Sequence, residues 1–196
     1  MKGLSWIVVS VACLFASGAA EARPVATPIP GNSVYQLQAT LVDASGRPRK
    51  WADFRGQPRI ATMFYSSCPY MCPLIIESGK AIDKSLTPAQ RARLGVVMVS
   101  LDAKRDSPAV LAALVRKRGI DPDRWTLLRP APKDVRSLAA VLGIKYRALA
   151  DGEFNHTSVL ILLDADGRIL ARTETIGSKP DPEFLTAVRK ALAPRK

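Results

Sequence analysis

The chain has 196 residues, 47% of them hydrophobic, which suits a single α/β domain with a substantial core. Its formal charge is +12, yet the basic residues are scattered and no interleaved aromatic stripe accompanies them, which argues against a nucleic-acid partner. A solvated basic surface is the simpler reading, with a docking face for an acidic partner or an anionic membrane surface as the alternative.

Lys2 gives a short positive start, residues 4–20 are apolar and rich in small residues, and Ala20-Glu21-Ala22 has the form of an A-x-A cleavage site. Residues 1–22 are therefore expected to be a cleavable signal peptide, which directs the chain to the periplasm. An uncleaved inner-membrane anchor is the rival reading. Ser10, Ser17 and Gly18 within the apolar run, and the lack of a basic cluster before Arg23, weigh against it. Lipid attachment at Cys13 is weaker still, because Ser10-Val11-Ala12 lacks the leucine that such sites favour. Loss of the leader removes Cys13 and leaves Cys68 and Cys72 from the three cysteines of the chain.

Residues 23–32, with Pro24, Pro28 and Pro30, read as an extended, flexible tether into a domain spanning 33–196. Residues 35–41 alternate enough for a strand, and a turn at 43–46 makes 33–52 an N-terminal β-hairpin. Residues 59–65 form a near-continuous apolar run, the pattern of a central strand buried on both faces. A helix is expected from 73 to 86, a second buried strand at 95–101, and a helix from Ser107-Pro108 to 118 with serine as its cap. A short strand at 125–128, a helix over 133–142, and a hairpin of 157–164 with 168–173 around Asp166-Gly167 follow. A helix over 181–192 closes the chain. This order predicts a thioredoxin-like α/β fold, a central mixed β-sheet flanked by helices, with no internal repeat.

The chemistry sits in Cys68-Pro69-Tyr70-Met71-Cys72-Pro73, where a buried strand gives way to a helix. Ligands bind at the carboxyl ends of strands in open α/β sheets. A helix N-terminus offers unpaired N–H groups and a positive dipole end, both of which favour thiolate over thiol. Two cysteines four apart make a poor structural staple, because so short a loop removes little chain entropy. They read instead as a redox-active dithiol. The usual oxidoreductase pair is C-x-x-C, and the longer spacing here also lets two thiolates spread around a metal ion.

His156 is the sole histidine. It precedes the strand expected at 157–164, at the edge where thioredoxin-like proteins bring a loop against the dithiol. Two thiolates and one imidazole form a soft, low-coordinate donor set that suits Cu(I) and also accepts Cu(II). Structural zinc would want a fourth protein ligand, and no further cysteine or histidine remains in the mature chain.

These motifs resemble those of the Sco/SenC family. The matching segments are Phe64-Tyr65 leading into Cys68-Pro69-x-x-Cys72-Pro73, and Val99-Ser100-Leu101-Asp102-x-x-Arg105-Asp106-Ser107-Pro108. Asn155-His156-Thr157-Ser158 and Asp164-x-x-Gly167 complete the set, so the resemblance spans about residues 33–193. It implies copper held by Cys68, Cys72 and His156, and cysteines that cycle between dithiol and disulfide. It further implies a metallochaperone role in assembling the CuA centre of cytochrome c oxidase or of another cuproprotein. Other periplasmic thiol-disulfide proteins or copper chaperones are then expected as partners. One departure is Tyr70, where the family commonly has an acidic residue. Loss of that charge bears on thiol pKa, copper affinity or partner choice.

A thiol-disulfide reductase that acts on partner cysteines without delivering copper is the alternative. It would need Cys68 and Cys72 but not His156. A peroxiredoxin-like reading is poorer, because Tyr65 stands where that family has a threonine. Asp102, Arg105 and Asp106 read first as an ion-paired loop ahead of a helix and second as support for the site. Met71 reads as space-filling, and Trp51 and Trp125 as packing.

Overall fold

The computed structural model describes residues 27–193. The expected signal peptide, its cleavage site, Cys13 and the first part of the expected tether lie outside the described residues. From Thr27 the chain runs along the domain: Arg55 Nη1 donates to the Thr27 carbonyl at 2.9 Å, and Gln36 Nε2 donates to that of Ile29 at 2.7 Å.

The first strand begins later than the alternation suggests. Val34–Gln36 is a 3₁₀ turn capped by Ser33, whose Oγ accepts from the Tyr35 N–H. Val34 and Tyr35 are adjacent and both buried, an arrangement a turn allows and a half-buried strand does not. The extended segment is Thr40–Asp43 (β1), paired antiparallel with Pro48–Lys50 (β2). This is the expected N-terminal hairpin.

Arg59–Phe64 (β3), Gly95–Ser100 (β4) and Trp125–Pro130 (β5) run parallel at the centre. Ile60, Ala61, Met63, Phe64, Met98 and Val99 there are fully buried. Each large side chain among them contributes about 1.5–3 kcal/mol of transfer free energy. Leu160–Leu163 (β8) pairs antiparallel with β3, and Ile169–Thr173 (β9) with β8, across the Asp166-Gly167 turn. The full order is β2-β1-β5-β4-β3-β8-β9. The edge strand β2 carries Pro48, Arg49 and Lys50, residues that discourage further strand addition.

The helices are Met71–Lys84 (α1), Pro88–Arg91 (α2), Pro108–Lys117 (α3), Val135–Val141 (α4) and Pro182–Ala191 (α5). The helix α3 starts as read from sequence, with Ser107 Oγ accepting from Val110 N. The short α2 was not foreseen; Thr87 and Gln90 form its reciprocal capping box. Together the mixed sheet and its flanking helices make the expected thioredoxin-like fold. Among the described residues, no helix is long and apolar enough to cross a membrane.

One further element bears on function. Tyr146–Ala148 (β6) and Phe154–His156 (β7) pair antiparallel as a separate two-stranded ribbon. His156 therefore ends a strand of its own rather than leading directly into β8.

Candidate functional site

The strand β3 ends at Phe64, and the chain turns through 65–70 into α1. Tyr70, at the N-cap position of α1, provides no side-chain cap. A sulfur takes that role instead: the free Cys72 N–H of the first turn donates to Cys68 Sγ at 3.3 Å. Tyr65 N–H in turn points to Cys72 Sγ at 3.4 Å. The two cysteines are unlinked, with Cys68 half-buried and Cys72 only 3% exposed.

Their electrostatics differ in sign. Burial alone would raise the Cys68 pKa. The Cys72 N–H and thiol, the Tyr70 N–H and the Tyr65 hydroxyl outweigh it, so the net shift is below the ordinary thiol value. For Cys72, burial dominates and the adjacent Cys68 charge adds to it, so that thiol is pushed well up. The site therefore holds a half-buried sulfur that ionises more readily than an ordinary thiol beside a covered one that ionises less readily.

Tyr65 links the dithiol to the histidine-bearing ribbon. Its hydroxyl donates to the Phe154 carbonyl at 3.3 Å, and its ring meets His156 edge-on with centroids 5.9 Å apart. Burial, together with hydrogen bonding to Cys68 and Glu153, raises the Tyr65 pKa, which keeps the phenol protonated. The His156 pKa is lowered, chiefly by burial, so its ring is neutral near pH 7. Its Nδ1 lies 3.1 Å from the Thr157 carbonyl. A proton held there leaves the Nε2 lone pair available, the usual orientation of a ligating imidazole.

The structure brings Cys68 and Cys72 together, and the ring of Tyr65 touches that of His156. Among the described residues, no three His, Cys, Asp or Glu side chains stand together as a ready-made metal site. His156 faces an open cavity lined also by Lys145, Asn155 and Glu174.

A network under the site tells more than the sequence did. Asp106 is fully buried and accepts from Ser66 N at 3.1 Å, from Ser66 Oγ, and from Ser100 Oγ at 2.6 Å. It thus anchors the loop that carries Cys68. Asp102 pairs with Arg105, as the ion-paired reading expects. Arg105 also donates to the Gly152 carbonyl and lies 3.9 Å from Glu153, latching the β6–β7 turn. Glu153 escaped the sequence reading. Its signal was the Asp151-Gly152 turn just before His156, which carries it back over Tyr65.

The SCO1/SenC family model matches residues 30–193. Comparison with curated protein sequences finds no match. Among solved structures, an Aquifex aeolicus VF5 protein assigned to electron transfer is 26% identical with a TM-score of 0.68, covering 83% of this chain and 91% of that one. A SCO1/SenC family lipoprotein from Bacillus anthracis str. Ames is 19% identical with a TM-score of 0.70, covering 80% and 95%. Bradyrhizobium japonicum ScoI, solved with copper bound, is 19% identical with a TM-score of 0.65, covering 79% and 98%.

Proposed function

Because the chain belongs to the SCO1/SenC family, whose model spans nearly all of its described residues, we propose that it is a periplasmic copper metallochaperone with a redox-active dithiol. Its cargo is copper, taken by the Cys68 and Cys72 thiolates with the His156 imidazole as third donor. Its purpose is assembly of the CuA site of cytochrome c oxidase or of another periplasmic cuproprotein. The observation that carries the reading is the unlinked sulfur pair at the start of α1, with one half-buried member whose pKa is lowered. Two soft thiolates and a neutral imidazole with Nε2 free fit Cu(I). The sulfurs lose their metal-binding capacity on oxidation, so loading is coupled to redox state.

In exchange chemistry, the Cys68 thiolate attacks a partner disulfide and releases one partner thiolate. Cys72 then loses its proton, attacks the mixed disulfide at Cys68 and releases the second. Two electrons pass to the partner and an internal disulfide remains. One observation favours this reductase role on its own: among the described residues, the two sulfurs and His156 do not form a ready-made three-donor cluster.

Copper titration of the reduced protein separates the readings. The expected result is one Cu(I) per chain, with binding weakened by His156→Ala and abolished by Cys68→Ser with Cys72→Ser. Undiminished affinity in the double cysteine variant would overturn the metallochaperone role. Reduction of a partner disulfide that survives His156→Ala but not Cys72→Ser identifies the exchange activity.

A further inference from the structure

The strands β3, β4 and β5 begin at Arg59, Gly95 and Trp125, at the end of the sheet opposite the dithiol. The six residues of β3 separate the two ends by about 20 Å. A cleft of about 530 Å³ opens there between the β1–β2 hairpin and the region of α3. That volume lies within the range of small-ligand pockets. Five arginines line it, Arg47, Arg49, Arg59, Arg116 and Arg124, against two carboxylates, Asp43 and Asp123.

The internal pairing leaves positive charge unanswered. Arg47 and Arg49 share Asp43, Arg49 also lies 3.5 Å from Asp53, and Arg124 is committed to Asp83 and Asp121. Arg59 and Arg116 make no ion pair among the described residues. Arg59 Nε donates to the Phe54 carbonyl at 2.6 Å, and its guanidinium lies 5.2 Å above the Phe54 ring. The Arg49 guanidinium lies 4.9 Å from the same ring. Two like charges thus share one aromatic ring beside an open cleft. Burial and the Arg49 charge disfavour the charged form of Arg59 and outweigh the neighbouring Tyr35, which favours it.

The backbone also keeps room for that guanidinium. A Cβ on Gly95 would stand 2.2 Å from Arg59 Nη1 and 3.1 Å from Gln57 Nε2. Only glycine at the start of β4 leaves the Arg59 fork where it is.

We propose that this cleft binds a small multivalent oxyanion, a molecule bearing phosphate or several carboxylates, through Arg59 and Arg49. Planar guanidinium forks match both oxyanions in two-point geometry, and the Phe54 ring fixes the two forks at one wall. The site is independent of copper and of the dithiol, so it stands or falls separately from the metallochaperone reading.

Titration calorimetry with inorganic pyrophosphate and with citrate, at fixed ionic strength, tests it on the copper-free protein. Saturable binding of one anion per chain is expected, and whichever of the two binds more tightly identifies phosphate or carboxylate as the preferred group. Arg59→Gln should weaken binding about tenfold or more. Gly95→Ala should do likewise while removing no charge, because the guanidinium must move. Arg136→Gln, which deletes a charge on α4, should leave affinity unchanged. Absence of saturable binding by both anions overturns the proposal. So does wild-type affinity in Gly95→Ala, or an Arg136→Gln loss as large as that of Arg59→Gln, which would mark diffuse surface charge.

Discussion

The two cysteines illustrate how little sequence distance it takes to split a chemical role. One helical turn apart, Cys68 receives a helix N–H and solvent, whereas Cys72 receives a buried setting and the neighbouring sulfur's charge. Native reduced protein should therefore be alkylated by iodoacetamide at Cys68, with Cys72 labelled only after denaturation, as read by peptide mass mapping. Asp106 makes a second residue-level expectation. Removing its carboxylate strands the buried Ser100 hydroxyl and the half-buried hydroxyl and N–H of Ser66. Asp106→Ala should cost about 3 kcal/mol in denaturant unfolding and loosen the Cys68 loop, raising the alkylation rate. Asp43 sets a pH dependence. Burial pulls its pKa up, but hydrogen bonds from Ser45 and Arg47 outweigh that and hold it below the usual aspartate value. The unfolded chain then binds the proton more tightly, so Asp43 stabilises the fold above about pH 4 and loses that contribution as pH falls further. Asp43→Asn should accordingly lower the unfolding midpoint at pH 7, with the gap from wild type closing in acid.

At the scale of elements, helix α1 lies so close to β5 that only a residue without a side chain fits at the crossing. A Cβ on Gly79 would fall 2.4 Å from the Trp125 ring, and that indole is held by its Nε1–H to Asp83 at 3.1 Å. Gly79→Ala should cost about 1–3 kcal/mol in spite of alanine's better helix propensity, a sign reversal that thermal unfolding would register. Neither partner of this contact is legible from sequence, since it joins residues 46 positions apart. What periodicity does reveal is what local chemistry decides: the apolar runs of β3 and β4, the Ser107-Pro108 start of α3, the Asp166-Gly167 turn. Tertiary packing overrode the pattern at Val34 and Tyr35, where adjacent buried residues make a turn in place of a strand. Phe154–His156 forms a strand where none is expected ahead of 157–164, because those residues find partners in Tyr146–Ala148. Cys68 and Cys72 announce themselves by spacing and by the strand before them. The contributions of Asp106, Arg105 and Glu153 emerge only when loops 40 and more residues apart meet.

For the molecule as a whole, the two cysteines sit four residues apart at the start of one helix, a local feature of the scaffold. A disulfide between residues four apart closes a minimal loop, worth about 2 kcal/mol of unfolded-state entropy at most. Oxidised and reduced protein should therefore unfold with urea midpoints no more than about 1 M apart. A large gap would show that the thiol state reorganises the core. The sheet keeps its two ends chemically distinct, sulfur at the carboxyl ends of the strands and guanidinium at their beginnings. Beside the dithiol stands the small β6–β7 ribbon, which belongs to neither the seven-stranded sheet nor a helix. So short a pair of strands is marginal on its own, and here it leans on the Tyr65 ring and the Arg105 latch. If the imidazole does serve as the third copper donor, it is mounted on an element separate from the seven-stranded ladder, so substitutions within the ribbon should change copper affinity without remaking the frame.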